Sequence, residues 1–235
     1  MLKKIILIIL LISIFFIGIK VKDNKISYIS IGDGLSKGMN YNNFESIGYS
    51  DHIYNYLKKN NKIEIYTKDF SNENNRITDL IDDINNNISI DINNKKIYIQ
   101  NAIKNTEILT ISIGMNEILY KYSNHVNNGY MYSYIDECIN DLNKLFKIIK
   151  KLNNKNIIFI GYYNPTDDNE LDVFIKYTNK KVIELCNEYK INYIDTYSIF
   201  NNNKHLIYNK NNYYPNQDGY KLIAKAVKNK LKLDK

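Results

Sequence analysis

Ile26-Ser27-Tyr28-Ile29-Ser30-Ile31-Gly32-Asp33-Gly34-Leu35-Ser36-Lys37-Gly38 is the stretch whose reading decides the fold. Residues 26–31 form a short β-branched run, and Gly32, Gly34 and Gly38 follow directly. Glycine permits tight turns and close backbone approach, so the stretch reads as a strand running into a tight turn. The pattern recurs: 108–113 runs into Gly114, and 157–160 into Gly161. Residues 63–70 and 191–194 are two more strand-like runs. Helical spacing fills the intervals at 49–59 (with Ser50 as N-cap), 78–84, 92–104, 131–152, 173–189 and 219–231. In 131–152 the apolar positions Ile135, Ile139, Leu142, Leu145, Phe146 and Ile149 recur with a period near 3.6. Five short strands separated by helices imply a mostly parallel sheet covered on both faces. Right-handed crossovers then make a three-layer α/β/α sandwich of the flavodoxin-like kind. Ligands in such sheets bind beyond the carboxyl ends of the strands, which is where the glycines fall.

The chain has 235 residues. Residues 1–24 read as a separate leading segment, and 25–235 as one domain of ordinary size. The formal net charge is +7, but the lysines are spread along the chain and Arg76 is the sole arginine. Nucleic-acid binding calls for a concentrated basic face, so that class is excluded. Mild attraction to an anionic surface is a better use of the charge. Cys138 and Cys186 both fall in helical patterns and read as reduced helix residues, with a single disulfide as the alternative. No Cys/His spacing suggests zinc, and no motif calls for another metal or a cofactor.

Lys3 and Lys4 precede an apolar run at 5–19, and Lys20 and Lys22 follow it. A basic start and an apolar core make an export signal. No small residues suited to cleavage precede Lys20, and no cysteine offers a lipid attachment point. The segment therefore reads as an uncleaved, single-pass membrane helix, with secretion after cleavage as the alternative. The run is short against the ~20 residues of a full span, and the flanking lysines could snorkel to make up the difference. The basic residues would stay inside, placing the domain outside the cytoplasm.

Four stretches, in order, resemble the SGNH/GDSL hydrolase family, and the resemblance covers essentially everything after residue 24. Gly32-Asp33-Gly34-Leu35-Ser36-Lys37-Gly38 resembles the nucleophile block, with Gly34 at the serine position. Residues 69–80 resemble the block in which a backbone N–H serves the oxyanion hole, with Asn74 at that position. Gly114-Met115-Asn116-Glu117 is the best match, and the resemblance implies that Asn116 aims a side-chain amide at a developing oxyanion. Asn211-Asn212-Tyr213-Tyr214-Pro215-Asn216, followed by Gly219-Tyr220, resembles the Asp-X-X-His-Pro-Asn block. There Asn211 replaces the aspartate and Tyr214 the histidine.

The resemblance thus implies an esterase-type scaffold without an intact catalytic triad. Glycine has no side chain to attack a carbonyl, and a tyrosine with an ordinary pKa of ≈ 10 is a poor base at neutral pH. Loss of triad members costs serine hydrolases roughly 10⁴–10⁶ in rate. A donor set of Gly34 N–H, Asn74 N–H and Asn116 would still suit a carbonyl, an acetyl group or a sugar. The expected partners are the membrane, through the leading helix, and a small acyl or glycan ligand or a cell-envelope partner. The alternative is an active esterase with a relocated nucleophile, Ser36, or a relocated base, His205. Asp33 reads as a brace for the turn. A third reading takes the glycines as a nucleotide-phosphate turn, but the polar loop before the next helix is wrong for it.

Overall fold

A computed structural model describes residues 25–125, 127–207 and 213–233. Five strands form the main sheet: β1 (Ile26–Gly32), β2 (Ile63–Thr67), β5 (Ile108–Ser112), β6 (Asn156–Ile160) and β7 (Asn192–Ile194). Two more, β3 (Ser89–Ile92) and β4 (Lys95–Tyr98), pair as a separate antiparallel hairpin. The main sheet is parallel throughout, in the order β2-β1-β5-β6-β7. That is the flavodoxin-like order, and it reverses direction between β1 and β5.

The strands are apolar on both sides because helices cover both sides. Ile29, Ile31, Leu109, Ile111, Ile157 and Phe159 face one core, shared with helices Ile77–Asn85, Ile99–Asn105, Asn128–Leu152 and Asn169–Glu188. Tyr28, Ile108, Ile158 and Ile160 face the other, under helices Tyr49–Lys59 and Gln217–Leu231. The period of two along each strand decides which layer each side chain enters. The second core also holds a band of buried hydroxyls. Tyr28 Oη and Thr110 Oγ1 are 3.1 Å apart, and Tyr49 Oη lies 3.2 Å from Ser30 Oγ and 3.1 Å from Ser36 Oγ. Each hydroxyl there answers another, as burial requires.

Several boundaries differ from the sequence reading. The helix expected at 92–104 begins only at Ile99. The preceding residues form the β3–β4 hairpin, turned by Asn93 and Asn94 at φ 50° and 61°, a left-handed pair that asparagine tolerates. Gly48, not Ser50, caps helix Tyr49–Lys59, and its N–H donates to the Asp51 carboxylate at 2.7 Å. Ser50 is fully buried inside the helix. β2 ends at Thr67 rather than continuing to residue 70. Asp168 caps the helix expected from 173, so it starts at Asn169. Cys138 and Cys186 are free, buried thiols on two helices. Among the described residues no helix is long and apolar enough to cross a membrane. The membrane helix expected within residues 1–24 lies outside the described residues.

Candidate active site

The site forms where β1 and β5 end, at the reversal of strand order. Gly32 has φ 134°, and a Cβ there would collide with the Ser112 carbonyl oxygen. The close approach lets Asp33 N–H donate to that oxygen at 2.8 Å, tying the two strand ends together. Asp33 caps the short helix Gly34–Lys37: its Oδ1 accepts from Leu35 N–H at 3.1 Å and from Ser112 Oγ at 3.2 Å. It therefore braces the turn through Oδ1. Its Oδ2 is buried and without a hydrogen-bond partner. Burial raises the Asp33 pKa from 3.8 to about 7, against the opposing pull of its two donors.

A cavity of about 240 Å³ opens beyond this turn. Its walls come from the β1 turn (Asp33, Leu35), the segment after β2 (Glu73, Asn74), the β5 exit (Ser112, Met115, Asn116, Leu119) and the β6 exit (Gly161, Tyr162, Tyr163). Asn43, Tyr213 and Tyr214 complete the lining. Tyr162 is fixed by donating from Oη to Ile113 O at 2.8 Å, and Tyr163 by donating to Tyr213 O at 2.7 Å. The Tyr213–Tyr214 turn is held from the helix side. Asn216 Oδ1 caps helix Gln217–Leu231 by accepting from Asp218 and Gly219 N–H. Tyr220 Oη donates to Met39 O at 2.6 Å.

Gly34 and Tyr214 meet. A Cβ built on Gly34 would collide with the Tyr214 hydroxyl and stand 2.6 Å from its Cζ. The phenol occupies the space a side chain at 34 would need, and Gly34 is covered rather than lining the cavity. Burial, with the Asp33 and Glu73 carboxylates, pushes the Tyr214 pKa further above its ordinary value. The hydroxyl therefore stays protonated at neutral pH.

The remaining sequence candidates are placed unevenly. Asn74 and Asn116 both reach the cavity wall. Asn74 N–H is engaged by Asn72 Oδ1 at 3.2 Å, and one Asn116 amide N–H donates to Glu73 O at 2.7 Å. Ser36 is fully buried in the hydroxyl band, where it donates to Ile31 O at 2.8 Å, on the helix side of the turn and away from the cavity. His205 sits exposed in a short turn, Lys204–Leu206, and does not line the cavity. Asn211 lies outside the described residues. Glu117, beside Asn116, is buried, accepts from Ile77 N–H at 3.2 Å, and has its pKa raised by burial to about 7. Sequence reading missed Asn43, Glu73, Tyr162, Tyr163 and Tyr213 as wall residues. The tyrosines that directly follow Gly161 carried a usable signal, because they leave a strand at the carboxyl edge. Among the described residues, no cluster of three or more His, Cys, Asp or Glu side chains could hold a metal ion.

Solved structures of three enzymes share this fold. A lipase from a goat rumen metagenome superposes with a TM-score of 0.71 at 16% identity, over 87% of this chain and 97% of its own. Axe2, an acetylxylan esterase from Geobacillus stearothermophilus, superposes with a TM-score of 0.65 at 16% identity, over 88% of this chain and 94% of its own. LAE5, an alpha/beta hydrolase enzyme from a Lake Arreo metagenome, does so with a TM-score of 0.64 at 14% identity, over 87% and 94%. No family model matches the sequence, and no curated protein matches it.

Proposed function

We propose that this chain is a non-hydrolytic member of the SGNH/GDSL hydrolase family, tethered to a membrane with its domain outside the cytoplasm. Its cavity holds an acylated or glycan-type ligand, or a group on a cell-envelope partner, without cleaving it. One observation carries the reading: the Tyr214 phenol fills the volume in front of Gly34. The nucleophile is replaced, and the room it would need is taken as well. The order of the four motifs and the fold shared with an acetylxylan esterase and a lipase support the kinship. The absence of histidine among the described lining residues supports the loss of cleavage. Tyr214 cannot stand in as base, since its environment favours the protonated phenol.

The test is labelling of the purified full chain with a fluorophosphonate probe, together with turnover of p-nitrophenyl acetate. Neither labelling nor turnover above background is expected. Labelling, or turnover abolished by Asn116→Ala or Ser36→Ala, would instead establish a working esterase with a relocated nucleophile.

A further inference from the structure

We propose that the cavity selects a small organic cation, an ammonium group such as the free amine of an amino sugar, over neutral and anionic ligands. The proposal deepens the binding reading above and rests on it for the location of the site.

Charge is the first argument. The chain carries a formal net charge of +7. Yet the charged side chains lining the cavity are Asp33 and Glu73, with no lysine, arginine or histidine among the described lining residues. The local sign is opposite to that of the whole molecule. Among the described lining residues, an anionic ligand would meet two carboxylates and no cationic side chain.

Asp33 supplies the second argument. It is 2% exposed and lines the cavity, yet Oδ2 has no partner, while Oδ1 has two. A buried carboxylate left half-satisfied is costly, and a positive charge beside it offsets that cost. The raised pKa of Asp33 is the same frustration seen as a proton equilibrium. Asp33 and Glu73 line the same cavity, so both carboxylates belong to one space.

The aromatic lining is the third. Tyr162, Tyr163, Tyr213 and Tyr214 make four tyrosines among the lining residues. Ring faces attract ammonium groups through the π quadrupole, more strongly where water is excluded. At about 240 Å³ the cavity suits one sugar-sized or choline-sized head rather than a drug-sized ligand.

Calorimetric titration of the full chain at low salt tests this. The probes are glucosamine and choline as cations, glucose as the neutral match to glucosamine, and glucuronate as the anion. Glucosamine should bind about tenfold tighter than glucose, and glucuronate should give no heat. Glu73→Gln, which leaves the backbone carbonyl that Asn116 uses in place, should weaken glucosamine severalfold and leave glucose unchanged. Asp33→Asn should act in the same direction. Equal binding of glucose and glucosamine, tighter binding of glucuronate, or no heat from either cation would overturn the proposal. The two claims fail separately. An unlabelled chain that binds glucose as well as glucosamine loses the cation preference and keeps the non-hydrolytic reading. A chain that fluorophosphonate labels but that prefers glucosamine does the reverse.

Discussion

Gly34→Ala should cost stability only while an aromatic ring stands at position 214. Gly34 opens a short helix and is not among the residues with positive φ, so its backbone suits alanine. At such a position Gly→Ala alone would stabilise by about 0.4–1 kcal/mol, through the unfolded chain. The new Cβ, however, would collide with Tyr214 Oη and lie 2.6 Å from Cζ. Overpacking of this kind costs about 1–3 kcal/mol, whether the ring is strained in place or expelled. The net change runs from about zero to a loss of about 2.6 kcal/mol, centred on a loss of about 1.3 kcal/mol. For a domain of this size each kcal/mol moves Tm by about 2–4 °C, so the central loss should lower the midpoint by roughly 3–5 °C. In a Tyr214→Ala background the collision vanishes, and Gly34→Ala should be neutral or stabilising. Tyr214→Phe removes the hydroxyl but keeps the ring carbon, so it should relieve only part of the cost. The cycle is best read by circular dichroism, because the chain has no tryptophan and 22 tyrosines dilute any single ring in fluorescence. A coupling between the two positions below about 0.5 kcal/mol would refute the claim that the phenol fills the space in front of residue 34.

Three further outcomes follow from the same geometry. Gly34→Ser alone should yield no esterase activity, whereas Gly34→Ser with Asn211→Asp and Tyr214→His should turn over p-nitrophenyl acetate measurably; a well-folded but inert triple variant argues against the motif register. Folding lifts Asp33 from 3.8 to about 7, so its contribution to stability is fullest below pH 3.8 and is lost as pH rises to about 7. That span amounts to roughly 4 kcal/mol. Urea titrations should show Asp33→Asn gaining about 2–4 kcal/mol on the parent between acidic and mildly alkaline pH, and parallel pH profiles would contradict the burial argument. Ser36→Ala should cost about 1–3 kcal/mol, by removing a buried donor to Ile31 O, and should leave ligand titrations unchanged.

The sheet was legible because its strands are short apolar runs punctuated by Gly32, Gly114 and Gly161, and both faces of such a sheet must be covered. The β3–β4 hairpin was not. Ile92 stands seven residues before Ile99, so the true helical spacing of Ile99, Ala102 and Ile103 reads back into the hairpin, while the turn depends on the left-handed conformations of Asn93 and Asn94. At the site, the resemblance singled out Gly34 and Tyr214 one position at a time. Their physical relation could not be read, since Gly34 and Tyr214 are far apart in sequence and meet only after β1 and the last helix are packed. The available hint was the pairing that the resemblance implies, a smaller residue than its pattern at position 34 and a larger one at position 214. The engagement of Asn74 N–H by Asn72, and the burial of Ser36 behind the turn, follow from local folding that no motif encodes.

The sheet's single direction has a consequence for how the molecule would stand on a surface. Residue 25 leads straight into β1, whose seven residues rise roughly 23 Å before the turn at Asp33. The tether proposed above, set ahead of that strand, would hold one pole and leave the opening at the other. In that arrangement guests would reach the opening from the medium or from an opposing wall.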